Sequence, residues 1–415
     1  MTNQRLSLLI LGSVEDFTTL TKLAVDRGAY TVVADAAVDG EAKKYAHKAY
    51  NVNLNDSDSI RQICETEKID RIITSYSDNL FELMVKYSFE NHLPCYCPYS
   101  TVRYLRDKIL MKEMFYELGI PFSKAQKIKV DQLSKESITL QYPFVLKPLD
   151  GWGSRGMFIV NCYNDIENYI TTSASFSVAS NYVMLEEISE GHEINVQSWI
   201  QDGKVYFVNF GDRETSGRDT RNLPYLTRQK YPSVYYDTVG ETVRSYLSRI
   251  ANYVGIKEGP LSMQLFYNNG SIIVGEVAGR FFGMEQGLSI ISNNIDRNEL
   301  LINMIFNPEE NLNILKQFKS DNGRYSFGLF IKGKKGIVKD FGNYKEIIDN
   351  DCVIDVTTYV KENTTTDIMP WLIKIMGCCE SQESADKYAD YVYKNLYIPD
   401  LKGTNLVTEN HLIKY

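Results

Sequence analysis

The stretch that decides the fold runs Tyr142-Pro-Phe-Val-Leu-Lys147-Pro-Leu-Asp150-Gly151-Trp-Gly153-Ser154-Arg155-Gly156-Met157. An apolar run ends in a lysine, which places one cation at the mouth of a sheet. The seven residues 150–156 then hold three glycines, a serine and an arginine ahead of a second apolar run. Glycine lets the backbone approach phosphate oxygens and aim N–H groups at them, while Ser154 and Arg155 add donors. This is not the P-loop pattern, in which Gly-Lys-Ser/Thr opens a helix. Taken by itself the stretch also reads as a flexible hairpin with a snorkelling lysine, so its neighbours must decide.

Upstream, residues 7–11, 31–34 and 71–74 read as strands alternating with helices over 15–27, 57–67 and 79–90. Such alternation indicates a parallel sheet covered on both faces. A dinucleotide site with Asp35 on a ribose is disfavoured, because Gly12 is followed by Ser13-Val14-Glu15 and not by further glycines. A helix is then expected from Ser100 through Asp107, Lys108 and Met111 to Leu118, closed by Gly119 with Pro121 beyond it. Downstream the pattern changes to short strands over 142–147, 157–160, 182–187, 193–200, 205–210, 262–267 and 271–277. Asp202-Gly203 and Asn269-Gly270 serve as hairpin turns, and helices are expected over 239–254 and 296–306. After about residue 307 a smaller module follows, with strands at 324–331 and 337–340 and a helix over 383–396.

Two further constellations accompany the lysine loop. Leu185-Glu186-Glu187-Ile188 leads to Gly191-His192-Glu193. A strand end of this kind suits a hinge between lobes, where backbone groups read a base edge and an acid accepts ribose hydroxyls. It reads equally as a solvated strand end. Gly259-Pro260-Leu261-Ser262-Met263-Gln264 leads through the Asn269-Gly270 turn to Gly275-Glu276-Val277-Ala278-Gly279-Arg280. In that hairpin Gln264 and Glu276 fall close together on one face. A carboxylate beside an amide oxygen can hold Mg²⁺ against polyphosphate. Arg280, four residues further, can clamp a carboxylate or a transferring phosphoryl group. Either residue alone also fits an ion pair on a sheet rim.

In order and spacing, these three constellations resemble the ATP-grasp superfamily over essentially the whole chain. Its members include the D-alanine–D-alanine and L-amino acid ligases, biotin carboxylase, carbamoyl-phosphate synthetase and glycinamide ribonucleotide ligases. The resemblance implies α/β and α+β architecture: a Rossmann-like leading domain (1–98), a two-lobed grasp fold (99–180 and 181–306) and a closing α+β module (307–415). It implies that Lys108 and Lys147 contact ATP phosphates and that Gly151, Gly153, Ser154, Arg155 and Gly156 cover them. Glu186 and Glu187 resemble the adenine hinge, and Glu193 the ribose-binding acid. Glu276 and Gln264 correspond to Mg²⁺ ligands, and Arg280 to the residue holding the acyl phosphate or substrate carboxylate. Two positions depart from the family: Gln264 stands where an acid is usual, and Ala278 where asparagine is usual. One Mg²⁺ is therefore expected to bind well and a second weakly. The activity implied is ATP-dependent joining of a carboxylate to an amine through an acyl phosphate, with an amino acid or peptide-type ligase favoured. Alternatives are a purine-pathway ligase of the glycinamide ribonucleotide type and an ATP-binding regulatory protein. A homodimer is the expectation from the family.

Composition narrows the partners. With 45 basic and 53 acidic side chains the net charge is −8, which disfavours general affinity for nucleic acid or anionic lipid. No apolar run approaches a bilayer span, and the run at 6–11 reads as a buried strand and not a signal peptide, so a cytoplasmic protein is expected. The seven scattered cysteines are expected to be reduced. Cys95 and Cys97 near His92 read as buried core residues more readily than as half of a metal site. Residues 211–232 gather Arg213, Arg218, Arg221, Arg228 and Lys230 with Tyr225 and Tyr231, and are read as a basic loop, either selecting an anionic substrate or lying on the surface.

Overall fold

The computed structural model describes residues 5–408 apart from 151–154, 178–180, 217–222 and 367–369. The leading sheet is parallel, with Lys48–Asn51, Tyr30–Asp35, Ser7–Leu11 and Arg71–Ile73 side by side in that order. Period-two alternation divides its first strand between two cores. Leu9 and Leu11 pack with Ile60 and Phe81, while Leu8 and Ile10 pack with Phe17 and Leu20. Strand Lys48–Asn51 escaped the sequence reading because it is an exposed edge without apolar alternation.

The helix expected over 100–118 is broken. A single 3₁₀ turn, Val102–Leu105, precedes the helix Lys108–Glu117. Asp107 causes the break: its side chain accepts from the backbone N–H of Ile109 (2.8 Å) and of Leu110 (3.2 Å), so it starts a new helix as N-cap.

Beside a two-stranded sheet of Gly336–Ile337 and Thr365–Thr366, two larger antiparallel sheets follow. The small one orders Ala125–Lys129, Tyr182–Glu187, Phe144–Pro148 and Phe158–Val160. Helix Tyr163–Ala174 covers one face of it, packing Ile166 and Ile170 on Phe144, Leu146 and Leu185. The long sheet has eight strands: Ser271–Ala278, Gly259–Asn268, His192–Gln201, Lys204–Ser216, Tyr225–Tyr231, Tyr325–Lys332, Trp371–Cys379 and Val353–Thr358. Its last three strands come from beyond residue 324, so the C-terminal part of the chain extends this sheet, with Arg228 paired to Leu329. Both anticipated hairpin turns are present, with positive φ at Asp202 (50°), Gly203 (73°), Asn269 (46°) and Gly270 (90°).

Two expectations are corrected. Residues 211–232 are not a basic loop: over the described part they form two neighbouring strands of the long sheet. Arg228 is buried and fixed to Glu214 (2.7 and 3.0 Å) and Asp386 (2.6 Å), and Lys230 also meets Glu214 (2.9 Å). Glu214 sits on the partner strand and Asp386 on the helix Gln382–Asn395, so a linear reading saw only the positive charge. Arg218 and Arg221 lie outside the described residues. The cysteines are not all reduced either. Cys352 and Cys379 form a disulfide with a Cα–Cα distance of 5.2 Å, joining residues 27 positions apart beside adjacent strands. Cys95 and Cys97 are thiols that burial pushes up, in keeping with a core role.

Candidate active site

Strand alternation supplies the first pair of charged groups. On the small sheet Val145 faces Glu186 and Lys147 faces Met184, so Lys147 and Glu186 share a face two positions apart. Phe144 and Leu146 take the other face into the core. The Lys147 ammonium ion-pairs with Glu186 Oε2. Helix Lys108–Glu117 brings a second ammonium: Lys112 Nζ lies 2.6 Å from Glu186 Oε1. Burial works against the charge on Glu186, yet Lys147 and Lys112 outweigh it and hold the carboxyl below its usual range.

One turn before Lys112, Lys108 opens the helix, and its Nζ lies 3.4 Å from the carbonyl oxygen of Leu149. Burial pushes the Lys108 ammonium down to about 8, opposed by the nearby charge of Glu276 and assisted by that of Lys147. Lys108 thus stands electrostatically between the small sheet and the hairpin of the long one.

The glycine loop is described only at its end. Gly151, Gly153 and Ser154 lie outside the described residues; Arg155 is exposed. Gly156 has φ +68°, and a Cβ there would come within 2.8 Å of the Phe176 ring, so another residue would be strained twice over.

The long sheet supplies the opposing wall. Gln264 pairs directly with Glu276, and on its other side with Asn195. The pairing depends on a β-bulge at Gly275, because the unbroken register from the Asn269-Gly270 turn would have set Gly275 opposite Gln264. Glu193, two residues before Asn195, falls on the same face. Its Oε1 accepts from Gln264 Nε2 and from Arg213 Nη1. Glu276 is half-buried, and among the described residues it carries no hydrogen bond or ion pair. Gly191 holds the approach to Glu193 close, since a Cβ at its φ of +113° would lie 2.4 Å from the Tyr267 carbonyl oxygen. Glu187 points away from this group: it is half-exposed and 3.8 Å from Lys124.

Arg280 leaves the hairpin and meets Asp78, at the start of helix Asp78–Glu90 in the leading domain. The pair is two-pronged, Nε to Oδ1 at 2.9 Å and Nη2 to Oδ2 at 2.5 Å. Burial opposes the charge on Asp78, but Arg280, Arg106 and Lys108 hold its carboxyl below the usual range. Arg280 Nη1 also donates to Phe281 O (3.1 Å). Of the five N–H bonds of the guanidinium, three are accounted for, leaving one on each Nη for an anion.

The arrangement fits a nucleotide with a divalent cation. Glu276 is a carboxylate that makes no hydrogen bond or ion pair among the described residues and faces an amide, the donor set a hard cation takes when its other ligands are phosphate oxygens and water. No group of three or more His, Cys, Asp or Glu among the described residues could hold a metal without such help. Sequence reasoning named Lys147, Lys108, Glu186, Glu193, Gln264, Glu276 and Arg280, but missed Lys112 and Asp78. Lys112 was open to discovery, four residues after Lys108 on one helix face. Asp78 carried no local signal.

Residues 140–288 match the family model of the ATP-grasp domain. The chain is 26% identical over 239 residues to a phosphoribosylamine–glycine ligase of Fusobacterium nucleatum, covering 53% of this chain and 56% of the relative. It is 28% identical over 107 residues to a D-alanine–D-alanine ligase of Anaplasma marginale, covering 24% of this chain and 32% of that relative. The matches thus span less than two thirds of these curated relatives. Among solved structures, an L-amino acid ligase from Bacillus licheniformis superposes with a TM-score of 0.78 at 17% identity, covering 96% of this chain and all of that one. A phosphoribosylglycinamide synthetase from Anaerococcus prevotii gives 0.70 at 17%, covering 95% and 99%. At such identity the shared property is the fold, which extends over about 95% of this chain.

Proposed function

We propose that this chain, which carries an ATP-grasp domain over residues 140–288, is an ATP-dependent ligase joining a carboxylate to an amine through an acyl phosphate. The observation that carries this reading is the placement of Glu276, which makes no hydrogen bond or ion pair among the described residues, within electrostatic reach of the Lys108 ammonium, itself close to Lys147. Lys147 and Lys108 bind the phosphates of ATP, and the loop 151–156 covers them. Glu193 accepts the ribose hydroxyls, and the strand end at Glu186 flanks the base. Glu276 and Gln264 would hold Mg²⁺, which when bound neutralises phosphate charge. Arg280 offers its two remaining N–H donors to the substrate carboxylate and to the charge that develops on the transferring phosphoryl group. Exclusion of water by the covering loop protects the acyl phosphate until the amine displaces phosphate. We favour an amino acid or peptide-type ligase, with a purine-pathway ligase of the glycinamide ribonucleotide type as the alternative.

The experiment is calorimetric titration of the native chain and Lys147→Ala with Mg·ATP and, as a control, NAD. Binding of Mg·ATP that is lost in the variant supports the reading, and paired carboxylates and amines are then screened by phosphate release. Binding indifferent to Lys147 overturns it. A second reading, an ATP-binding regulator, is favoured by Gln264 and Ala278 at positions where the family carries an acid and an asparagine. It predicts nucleotide binding without phosphate release for any pair.

A further inference from the structure

Glu186 is the most heavily committed acid of the cleft, with an ammonium on each carboxylate oxygen. The two ammoniums are not equivalent. Lys147 stands at the end of strand Phe144–Pro148, where the chain runs into the glycine loop. Lys112 is embedded: its side chain is 7% exposed, its Nζ lies 3.4 Å from the carbonyl oxygen of Gly275, and the Phe122 ring centroid is 5.5 Å from it. Gly275 directly precedes Glu276, so Lys112 ties the small sheet to the hairpin from a fixed position. A phosphate entering the cleft would draw Lys147 away from Glu186. A buried carboxylate stripped of every counter-charge is strongly disfavoured, so release of Lys147 requires that another cation stay behind.

We propose that Lys112 is a positioning residue of the nucleotide site: by neutralising Glu186 it frees Lys147 to bind nucleotide phosphate. This rests on the nucleotide reading above. With Lys112 absent, Lys147 becomes the sole counter-ion of Glu186 and is held back from the phosphates. The defect is specific to phosphate and leaves recognition of the nucleoside alone.

The test compares the ratio of Mg·ATP to adenosine affinity, measured by calorimetry on the full chain. Lys112→Met, nearly isosteric and uncharged, should lower the ratio at least tenfold. Lys112→Arg should keep it within threefold of the native chain. Lys112→Met combined with Glu186→Gln should recover most of the loss, because removing the acid releases Lys147; a purely structural role for Lys112 predicts no such recovery. If Lys112→Met does not fold, Lys112→Gln takes its place with the same expectation of an at least tenfold lower ratio, and an unchanged or higher ratio overturns the inference. An unaltered ratio in folded Lys112→Met also overturns it, while the nucleotide reading stands if Lys147→Ala still abolishes Mg·ATP binding. A native chain that does not bind Mg·ATP removes both.

Discussion

Arg280 and Asp78 lie 202 residues apart and meet in a two-pronged ion pair that joins the hairpin of the long sheet to the leading domain. Both side chains are about nine-tenths buried. Breaking such a pair by deleting one partner leaves an uncompensated charge, at a cost of about 3 kcal/mol or more. Asp78→Ala should therefore lower stability by about that amount in urea unfolding. It should also cut substrate-dependent phosphate release more than tenfold, because the guanidinium is no longer aimed, while the Mg·ATP dissociation constant stays within threefold. An equal loss of nucleotide affinity would show that Asp78 supports the whole cleft and not Arg280 in particular.

Lys108 makes a pH prediction. The groups that face it are Glu276 from the hairpin, Lys147 from the small sheet, Arg106 just before its own helix and Asp78 from the leading domain. Burial leads and brings it to about 8, against an ordinary 10.5. The folded chain then binds fewer protons than the unfolded one between those values, so this group's contribution to stability rises with pH across that window. Phosphate beside Lys108 restores the charge. Mg·ATP binding should therefore take up a fraction of a proton near pH 8–9, seen as a dependence of the calorimetric heat on buffer ionisation enthalpy. Affinity should fall as pH rises above about 8. Lys108→Met should bind more weakly and show a flat profile; proton uptake persisting in that variant would assign it elsewhere.

Gln264 predicts a trade between metal affinity and stability. Replacing it with glutamate sets a second carboxylate opposite Glu276, the charge a cation prefers. Gln264→Glu should lower the free Mg²⁺ needed for half-maximal ADP binding at least threefold. Gln264 also donates to Glu193, and that hydrogen bond becomes a like-charge contact, so the variant should melt at lower temperature than the native chain in chelator. A variant unchanged in both respects would place the cation away from this hairpin.

What could be read from the sequence followed from periodicity. Lys147 and Glu186 share a face because strand residues alternate between faces. The leading sheet was legible for the same reason. Gln264, by contrast, meets Glu276 only through the bulge at Gly275, which the turn at Asn269-Gly270 does not foretell. The remainder depends on neighbours distant in sequence. Arg228 looked like part of a basic loop because Glu214 and Asp386, which neutralise it, lie 14 and 158 residues away. The disulfide of Cys352 with Cys379 follows from strand adjacency that no spacing rule supplies. Asp78 could not be linked to Arg280 until the leading domain was seen resting on the hairpin.

Glu285 is a second consequence of long-range packing, and it anchors the segment that follows Arg280. Its carboxylate is 1% exposed and accepts from four neutral donors: Asn195 Nδ2 (2.6 Å), Gln229 Nε2, Gln197 Nε2 (2.5 Å) and Tyr231 OH (2.7 Å). Buried Arg297 donates to Gln197 Oε1 and to Phe282 O, placing the balancing charge beyond one amide. Tyr231→Phe removes one bond to a charged acceptor and should cost about 2 kcal/mol in urea unfolding. Glu285→Ala strands all four donors and leaves Arg297 without its anion, so a loss above about 4 kcal/mol, or failure to fold, is expected. Because Asn195 is the strand neighbour of Gln264, the two effects separate by readout. Tyr231→Phe, far along the network, should leave Mg·ATP affinity within twofold of native, whereas Asn195→Ala should weaken both stability and metal-dependent nucleotide binding. Native-like nucleotide affinity in Asn195→Ala would mean that the Glu285 network is independent of the cleft, and a loss in Tyr231→Phe as well would mean that the whole network supports it.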